Sequence, residues 1–371
     1  MKKLATVLLI LFVAGSLFAG SKKEKSSGGT LIGIALPEDH DLRWIKDGNL
    51  LRADVEKHGY RAAVQWCDAN QDQQNQQIRG FLTQKAKALI IASVNAGVAP
   101  VVAEAAKDKV VVVAYDRIIQ NSADYDYFIT FNNFKVGALQ AQSIEMALNL
   151  PAVTAAAPKL IALFAGPLTD SNTQFFFDGA MSVLEPYIEK GVLKVIGPHP
   201  TSSADTENFQ QITMENLPAT AKTRMEHLLS NEARNVTLDA ILAPNDTLAC
   251  AIIEACKADA KYRTRLPVIS GQDAEFDSMM SIKNGEQYST VFKDTAKLAE
   301  AAVILADAIL KGQTPHLPDA VLASGDLRGI GNTGTKYVNA YLIDPILITR
   351  DNLNVPVDAG FYDDAHAAQL R

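Results

Sequence analysis

The stretch Val110–Arg117 reads VVVVAYDR and joins a buried strand to a charged end. Four valines and an alanine are typical of an inner strand of a parallel sheet, covered on both faces. Tyr115, Asp116 and Arg117 stand at its carboxyl end, where open α/β sheets bind their ligands. The carboxylate accepts and the guanidinium donates hydrogen bonds, so one small polar molecule can engage both. On this stretch alone, a charged pair that merely ends a strand is an equally good interpretation.

Strand and helix patterns alternate on both sides of this stretch. Before it, strand patterns that begin with Leu31–Leu36 alternate with amphipathic helices. After it, the alternation starts again at Tyr127–Phe131 and continues to an alanine-rich helix at Thr295–Leu310. Repeated strand–helix units indicate parallel sheets covered by helices. The sequence therefore predicts an α/β fold, and its 371 residues suffice for two domains of ordinary size.

The two halves of the chain resemble each other at two places. The segment AKALIIASVNAG in the first half is similar to LDAILAPNDTLA in the second, and VVVVAYD is similar to LPVISGQD. The second similarity places Asp116 and Asp273 at equivalent strand ends. Two lobes built alike bring such strand ends together across one cleft, where small-ligand sites concentrate. We therefore predict a ligand site between two lobes and favour a binding role for Asp116 and Arg117.

Candidate ligand-binding residues follow the predicted strands in both halves. They comprise carboxylates, carboxamides, cations and one tryptophan: Arg43, Trp44, Asp116, Arg117, Asn172, Asn245, Asp273 and Lys293. A neutral polyhydroxylated ligand suits this set, because each hydroxyl donates to a carboxylate and accepts from a cation or a carboxamide. A phosphorylated ligand suits it poorly, since the carboxylates would repel it. The tryptophan ring can lie against the C–H groups of a sugar.

Three of these residues have a purely structural alternative. Trp44 can belong to the core, and Asn245 can cap the helix that follows it, which does not exclude contact with a ligand. Lys293 can form a solvated pair with Asp294. Each position alone is a weak signal, and the argument rests on their joint recurrence at strand ends.

Other classes of function lack support in the sequence. The net charge is −7 and basic residues form no block beyond a few lysines near the start, which argues against nucleic acid as a partner. The motifs of nucleophile elbows, zinc proteases, phosphate loops and dinucleotide-binding turns are missing. A glycosidase needs one protonated acid, whereas Arg117 and Lys293 would keep Asp116 and Asp273 ionised. We expect no enzymatic activity, no metal and no cofactor.

The first residues have the pattern of a secretory signal peptide. Lysines precede an apolar run from Leu4 to Leu17, and small residues follow, so we predict a signal peptide over residues 1–20 and a flexible tether over residues 21–30. Ser21 stands where lipoproteins carry the lipidated cysteine and cannot form the thioether, which leaves lipid anchoring open. The mature protein is expected to be periplasmic or otherwise extracytoplasmic.

Several motifs resemble those of the periplasmic sugar-binding proteins of ABC importers, specifically the xylose-binding proteins and the multiple-monosaccharide receptors. The resemblance covers the chain from about Leu31 to its end, and its most specific combination is YDR with SGQDAE and YSTVFKD. The matching stretches are RWIKDGN (43–49), QIRGFLTQKAKALIIAS (77–93), VVVAYDRIIQNSADYDYFITFNNFKVGALQA (111–141), FFFDGAMSVLEPYIEKG (175–191), VISGQDAE (268–275) and GEQYSTVFKDT (285–295).

This resemblance implies a type I periplasmic binding protein fold, in which two doubly wound parallel-sheet lobes are joined by three hinge crossings. We expect the N-terminal lobe to comprise residues 31–131 and 294–330, and the C-terminal lobe residues 132–293 and 331–371. The eight candidate residues would then contact one aldose, with Trp44 packing on the ring.

The resemblance also implies partners, and the segment MENLPATA departs from the family pattern. The implied partners are an ABC permease with its ATPase or, alternatively, a chemoreceptor or sensor kinase, and the protein is expected to be a monomer. A transcriptional repressor of the same fold is excluded by the export signal and by the lack of a helix-turn-helix. In MENLPATA, Asn216 occupies the place of a second family tryptophan. Phe209 or another residue then supplies the second stacking face, or that face is polar.

Overall fold

The computed structural model describes residues 29–39, 42–323 and 329–371. The predicted signal peptide and the tether up to residue 28 lie outside this part of the chain. No helix within the described ranges is long and apolar enough to span a membrane.

The first lobe contains a seven-stranded sheet with the strand order β11-β12-β5-β4-β3-β1-β2. All its neighbouring strands are parallel except β11, which runs antiparallel to β12. The strands are β1 Leu31–Leu36, β2 Arg61–Trp66, β3 Ala88–Ile91, β4 Val111–Tyr115, β5 Tyr127–Phe131, β11 Ala320–Leu322 and β12 Asn339–Ile343. The helices of this lobe are α1 Leu42–Lys57, α2 Gln71–Thr83, α3 Ala99–Lys107 and α10 Thr295–Leu310.

The valine-rich stretch is buried on both faces, as predicted. Val113 and Tyr115 belong to the apolar cluster that contains α1 and α10, whereas Val112 and Ala114 belong to the cluster of α2 and α3. Successive side chains of a strand point to opposite faces, so a strand between two helix layers needs apolar residues at every position.

The second lobe contains a four-stranded parallel sheet with the order β7-β6-β8-β9 and a two-stranded antiparallel pair, β10 with β13. The strands are β6 Lys159–Leu163, β7 Leu193–Val195, β8 Ala240–Leu242, β9 Val268–Ile269, β10 Thr290–Phe292 and β13 Ile346–Ile348. The helices are α4 Asn133–Leu148, α5 Thr173–Glu189, α6 Thr206–Ile212, α7 Pro218–Ser230, α8 Asp246–Ala258, α9 Phe276–Asn284, α11 Asn354–Asp358 and α12 Asp364–Leu370.

Three short crossings join the lobes in the described chain, which confirms the predicted two-lobed fold. They follow β5, β10 and β12, and the backbone N–H of Asn132 in the first donates to the carbonyl of Ile343, the last residue before the third. The predicted lobe boundary at residue 331 is wrong. Residues 339–343 form β12, which pairs in parallel with β5 of the first lobe, so the chain enters the second lobe only after Ile343.

Helices α4 and α5 cross at a reciprocal pair of glycines. A Cβ atom on Gly137 would lie 1.7 Å from the carbonyl oxygen of Phe176, and one on Gly179 would lie 2.0 Å from that of Phe134. Only glycine allows two backbones to approach this closely. The crossing fixes the first turn of α5, which borders the cleft between the lobes.

Candidate functional site

A cavity of about 780 Å³ lies where the strand ends of the two lobes face each other. All eight candidate residues line it: Arg43, Trp44, Asp116, Arg117, Asn172, Asn245, Asp273 and Lys293. Within the described residues, no group of His, Cys, Asp or Glu side chains has the arrangement of a metal site. The wall of the cavity combines carboxylates, carboxamides, cations and aromatic rings.

Asp116 and Asp273 occupy equivalent positions in the two lobes. Both have positive φ values, 59° and 99°. Asp116 directly follows the inner strand β4, whereas Asp273 lies four residues beyond β9, at the edge of its sheet. The N–H of Asp116 donates to the carbonyl of Ile129 on β5 over 2.8 Å, and that of Asp273 donates to Val291 on β10 over 2.9 Å. The strand turns sharply at each aspartate, and aspartate tolerates this conformation better than most residues do.

The ion-pair partner of Asp116 is Arg43, on the first turn of α1, and not its neighbour Arg117. The Nη2 atom of Arg43 lies 2.7 Å from Oδ2 of Asp116 and 3.6 Å from Oδ2 of Asp47. The hydroxyl of Tyr115 donates to that same Asp47 oxygen over 2.9 Å. A guanidinium with several planar donors can bind two carboxylates and still face a ligand.

Burial and charge perturb the pKa values of this cluster. Burial and the negative charge of Asp116 raise the pKa of Asp47 to about 6, although the positive charge of Arg43 opposes the change. Burial disfavours the charge on Arg43, yet the carboxylates of Asp116 and Asp47 raise its pKa well above the usual value. Arg43 is therefore a permanent donor at the cavity wall.

Trp44 belongs to the core and to the cavity wall at once. Its side chain is almost fully buried in the apolar cluster of the first lobe. The guanidinium carbons of Arg43 and Arg117 lie 4.7 Å and 5.1 Å from its ring centroid. Cations near the ring attract its π-electrons and hold both arginine side chains at the cavity. The prediction that Trp44 can belong to the core is thus correct, and the residue also lines the cavity.

Lys293 is buried and forms an ion pair with Asp273. Its Nζ atom lies 2.8 Å from Oδ1 of Asp273 and 5.4 Å from the ring centroid of Phe176. The alternative of a solvated pair with Asp294 is wrong, because the carboxylate of Asp294 accepts from the N–H of Ala296 and caps α10. Each lobe therefore presents one cation–aspartate pair to the cavity.

The two asparagines are fixed by hydrogen bonds. The Nδ2 atom of Asn172 donates across the cleft to the carbonyl of Asp116 in the first lobe, over 3.4 Å. Its Oδ1 accepts from Nδ2 of Asn133, in its own lobe, over 2.8 Å. Asn245 caps α8 by accepting from the N–H of Leu248 over 2.9 Å, which confirms the capping role. Its Nδ2 donates to Oδ1 of Asn216 over 3.2 Å.

Phe209 does not supply the second aromatic face. It is buried against Phe177, with the ring centroids 5.0 Å apart, and Asn216 occupies the cavity wall. The second-lobe wall therefore combines the Asn216–Asn245 carboxamide pair with other rings, among them Phe176 on α5.

Sequence reasoning missed several residues of the site. Asp47 follows Arg43 by one helical turn, a spacing that could have identified it. Gln272 precedes Asp273 in SGQD; its Nε2 donates to the carbonyl of Pro244, and its buried Oε1 has no hydrogen-bond partner among the described residues. No local pattern marks Gln140, which donates from α4 to the carbonyl of Ala243 and also lines the cavity.

The C-terminal segment 359–371 also borders the cavity, a position the sequence did not indicate. Phe361, Tyr362 and His366 are wall residues, and Tyr362 donates to the carbonyl of Ala274. Lys46 on α1 of the first lobe donates to the carbonyl of Phe361, and its Nζ lies 3.2 Å from the centroid of that ring. The segment thus contacts both lobes at one edge of the cleft.

A family model described as a periplasmic binding protein domain matches residues 32–314. The chain belongs to this family. The multiple sugar-binding periplasmic receptor ChvE of Rhizobium radiobacter is 37% identical, with 96% of each chain aligned. The D-xylose-binding periplasmic protein of Escherichia coli strain K12 is 32% identical over 90% of this chain and 91% of its own.

Solved structures with bound sugar share the fold. An ABC transporter solute-binding protein from Clostridium phytofermentans, crystallised with β-D-glucose, has a TM-score of 0.79 at 31% identity and covers 91% of this chain and 100% of its own. A solute-binding protein from Chloroflexus aurantiacus in complex with D-glucose has the same TM-score at 30% identity, covering 90% and 97%.

Proposed function

We propose that this protein is the receptor of an ABC importer that captures one monosaccharide in the interlobe cavity and delivers it to a membrane permease. The observation that carries the proposal is the pair of cation–aspartate contacts, Arg43 with Asp116 and Lys293 with Asp273, which face each other from the two lobes. Relatives over nearly the whole chain that are named for xylose or for multiple sugars support it.

The cavity wall matches the hydrogen-bonding needs of an aldose. Each hydroxyl can donate to Asp116 or Asp273 and accept from Arg43, Arg117 or Lys293. Bonds to charged partners contribute about 1.5–3 kcal/mol each, more than neutral ones. The ring of Trp44 offers an apolar surface to the C–H groups of the sugar. The free Oε1 of Gln272 adds one acceptor.

Capture and delivery need no catalysis, and we propose that the protein is not an enzyme. In a glycosidase of the common type one carboxyl group carries a proton to the leaving group. Here the carboxylate oxygens of Asp116 and Asp273 lie 2.7 Å and 2.8 Å from the cations of Arg43 and Lys293, so each aspartate is already engaged as the acceptor of an ion pair. Incubation with aryl glycosides should release no phenol above the rate of a protein-free control.

Binding assays with single aldoses test this proposal. Isothermal titration calorimetry with xylose, glucose, galactose, arabinose and ribose should give micromolar or tighter binding for one or more of them. Asp116→Asn keeps a side chain that accepts a left-handed backbone but replaces one acceptor oxygen by a donor, so it should weaken binding about 100-fold. If no aldose binds the unmodified protein, the receptor function is refuted.

A sensor that acts mainly on a chemoreceptor or a histidine kinase would bind the same ligand. Uptake of labelled sugar by vesicles that contain the permease and its ATPase, with and without the protein, distinguishes the two roles. We also propose export by the N-terminal segment and a monomeric receptor; the mass of the mature N-terminus and sedimentation analysis test these points.

A further inference from the structure

Asp246 is a buried carboxylate that the binding of sugar does not use directly. It is the first residue of α8, has no exposed surface and lies within 4 Å of no lysine or arginine nitrogen in the described chain. Its Oδ1 accepts from Nε2 of Gln287 over 2.9 Å. Its Oδ2 accepts from the hydroxyl of Thr290 over 2.8 Å and from the N–H of Glu275 over 2.9 Å. A carboxylate in this position is costly to bury, and three donors compensate for part of the cost.

These bonds hold a strained turn. Asp273 and Ala274 both have positive φ values, 99° and 51°, a backbone conformation that is strained in residues other than glycine and persists only where the surroundings enforce it. The N–H of Ala274 donates to the hydroxyl of Thr290 over 3.1 Å, and the next N–H, that of Glu275, donates to Asp246. Asp246 and Thr290 therefore bind both amides that follow the ligand-facing aspartate.

A glycine makes room for this contact. A Cβ atom on Gly271 would lie 2.0 Å from Oδ1 of Asp246 and 2.5 Å from Nε2 of Gln287. The backbone N–H of Asp246 in turn donates to the carbonyl of Gln272 over 3.0 Å. The carboxylate thus lies against Gly271, which follows the end of β9 by two residues and precedes Asp273 by two.

We propose that Asp246 is a positioning residue that holds three sugar-binding side chains in register. Asp246 follows Asn245 directly and so holds its place at the start of α8. Its bond to the N–H of Glu275 fixes the turn that contains Asp273. Its bond to Thr290 fixes β10, which leads to Lys293. One buried carboxylate thereby joins the ends of β8, β9 and β10. The inference rests on the proposed sugar-binding function and assigns a role behind that site.

Substitutions at Asp246 test the role. Asp246→Ala leaves the Glu275 amide without its acceptor, so the turn relaxes and the dissociation constant for the best-bound aldose should rise about tenfold or more, because small misplacements of a binding group are costly. Asp246→Asn should restore affinity to within about threefold. Its Oδ1 replaces Oδ2, and the Gln287 carboxamide, whose Oε1 has no partner among the described residues, can rotate to accept from the new Nδ2. This rotation gives up the bond from Nε2 of Gln287 to the carbonyl of Ser289, which accounts for the remaining loss.

The matched control is Asp239, at the opposite end of β8. It accepts from the N–H of Leu160 over 2.9 Å and from Lys159 over 3.1 Å, far from the cavity wall. Asp239→Ala should lower the melting temperature without changing the dissociation constant. If Asp246→Ala behaves in the same way, Asp246 has only a structural role and the proposal is wrong.

Two further measurements keep the proposal testable if Asp246→Ala fails to fold. Thr290→Val removes the hydroxyl that joins Ala274 to Asp246 and should also weaken binding about tenfold. Hydrogen exchange of the segment 273–276 should be faster in ligand-free Thr290→Val than in the ligand-free unmodified protein, and unchanged exchange would contradict the inference. Absence of binding by the unmodified protein refutes the receptor function instead.

Discussion

The Nη2 atom of Arg43 lies 2.7 Å from Oδ2 of Asp116, although Arg117 follows that aspartate directly in the chain. The contact joins the first turn of α1 to the end of β4, two elements of one lobe that meet only in the folded protein. The contact orients Asp116, while Arg117 packs beside Trp44.

Removal of Arg43 should weaken binding of sugar. Arg43→Met leaves Asp116 buried without its cation, and we expect the dissociation constant to rise about 30- to 100-fold, or roughly 2–3 kcal/mol. Titration calorimetry measures the change. The control is Arg79→Met, which breaks an exposed ion pair with Glu104 at 2.8 Å and should leave affinity unchanged. Equal effects of both variants would exclude a specific role for Arg43.

Asp47 should make stability depend on pH below neutrality. Its pKa is about 6 in the folded protein against 3.8 ordinarily, so the folded state holds this proton more tightly than the unfolded state does. The contribution to the free energy of unfolding is largest below about pH 4 and declines as pH rises to about 6. The decline is on the order of 3 kcal/mol.

The variant Asp47→Asn isolates this effect, because its oxygen still accepts from Tyr115 and it does not titrate. Urea unfolding of both proteins between pH 4 and pH 7 gives the difference. Arg43, Asp116 and Thr295 face this carboxyl group and remain in both proteins. Parallel pH profiles would show that Asp47 does not titrate in this range.

The contact of Lys46 with Phe361 should slow release of the ligand. It joins α1 of the first lobe to the C-terminal segment on the second, so separation of the lobes at this edge would break it. Lys46→Met should increase the dissociation rate several-fold, because a partly buried cation–aromatic contact contributes about 1 kcal/mol. Stopped-flow fluorescence can follow release through the two tryptophans of the chain.

Lys57→Met provides the control for this experiment. Lys57 lies at the far end of the same helix, where its exposed ammonium is 4.0 Å from Glu300. A dissociation rate that rises equally in both variants, or in neither, would speak against a contact between lobes that retains the ligand.

The glycine crossing of α4 and α5 should be intolerant of any side chain. In Gly179→Ala the new methyl group would meet the carbonyl of Phe134 at 2.0 Å, so the helices must separate, at a cost of about 2–4 kcal/mol in the free energy of unfolding. Gly80→Ala, in α2, places its methyl group in open space and should stabilise the protein by about 0.5–1 kcal/mol. Chemical unfolding of both variants measures the contrast.

Local patterns were sufficient to predict the two-lobed α/β fold. Buried strands such as Val111–Tyr115 have apolar residues at every position because helices cover both faces, and this pattern depends on no distant contact. The position of β12 is different. Its pairing with β5 depends on the order in which the chain crosses between lobes, which no pattern within residues 331–343 specifies.

The candidate residues were predictable as a group, whereas their pairing was not. The similarity of VVVVAYD to LPVISGQD identified two strand-end aspartates, and both have left-handed backbones on the cavity wall. The sequence offered two arginines for Asp116, and only the packing of α1 against the sheet selects Arg43. Asp246 is not among the candidate residues, because its bonds to residues 275, 287 and 290 span more than twenty positions and no local pattern indicates them.

The three crossings between the lobes are short. They consist of residue 132, residues 293–294 and residues 344–345, and the N–H of Asn132 donates to the carbonyl of Ile343, the residue directly before the third crossing. We expect such links to permit one rotation and to resist twist or shear of one lobe against the other. Binding of sugar would then change a single angle, that between the two lobes. The distance between the outer edges of the lobes would differ between the empty and the sugar-bound receptor, and a permease could recognise this difference. Distances between pairs of spin labels, one label on the outer edge of each lobe, should all change in the same sense when sugar is added. Distance distributions that do not change on addition of sugar would refute this single-axis motion.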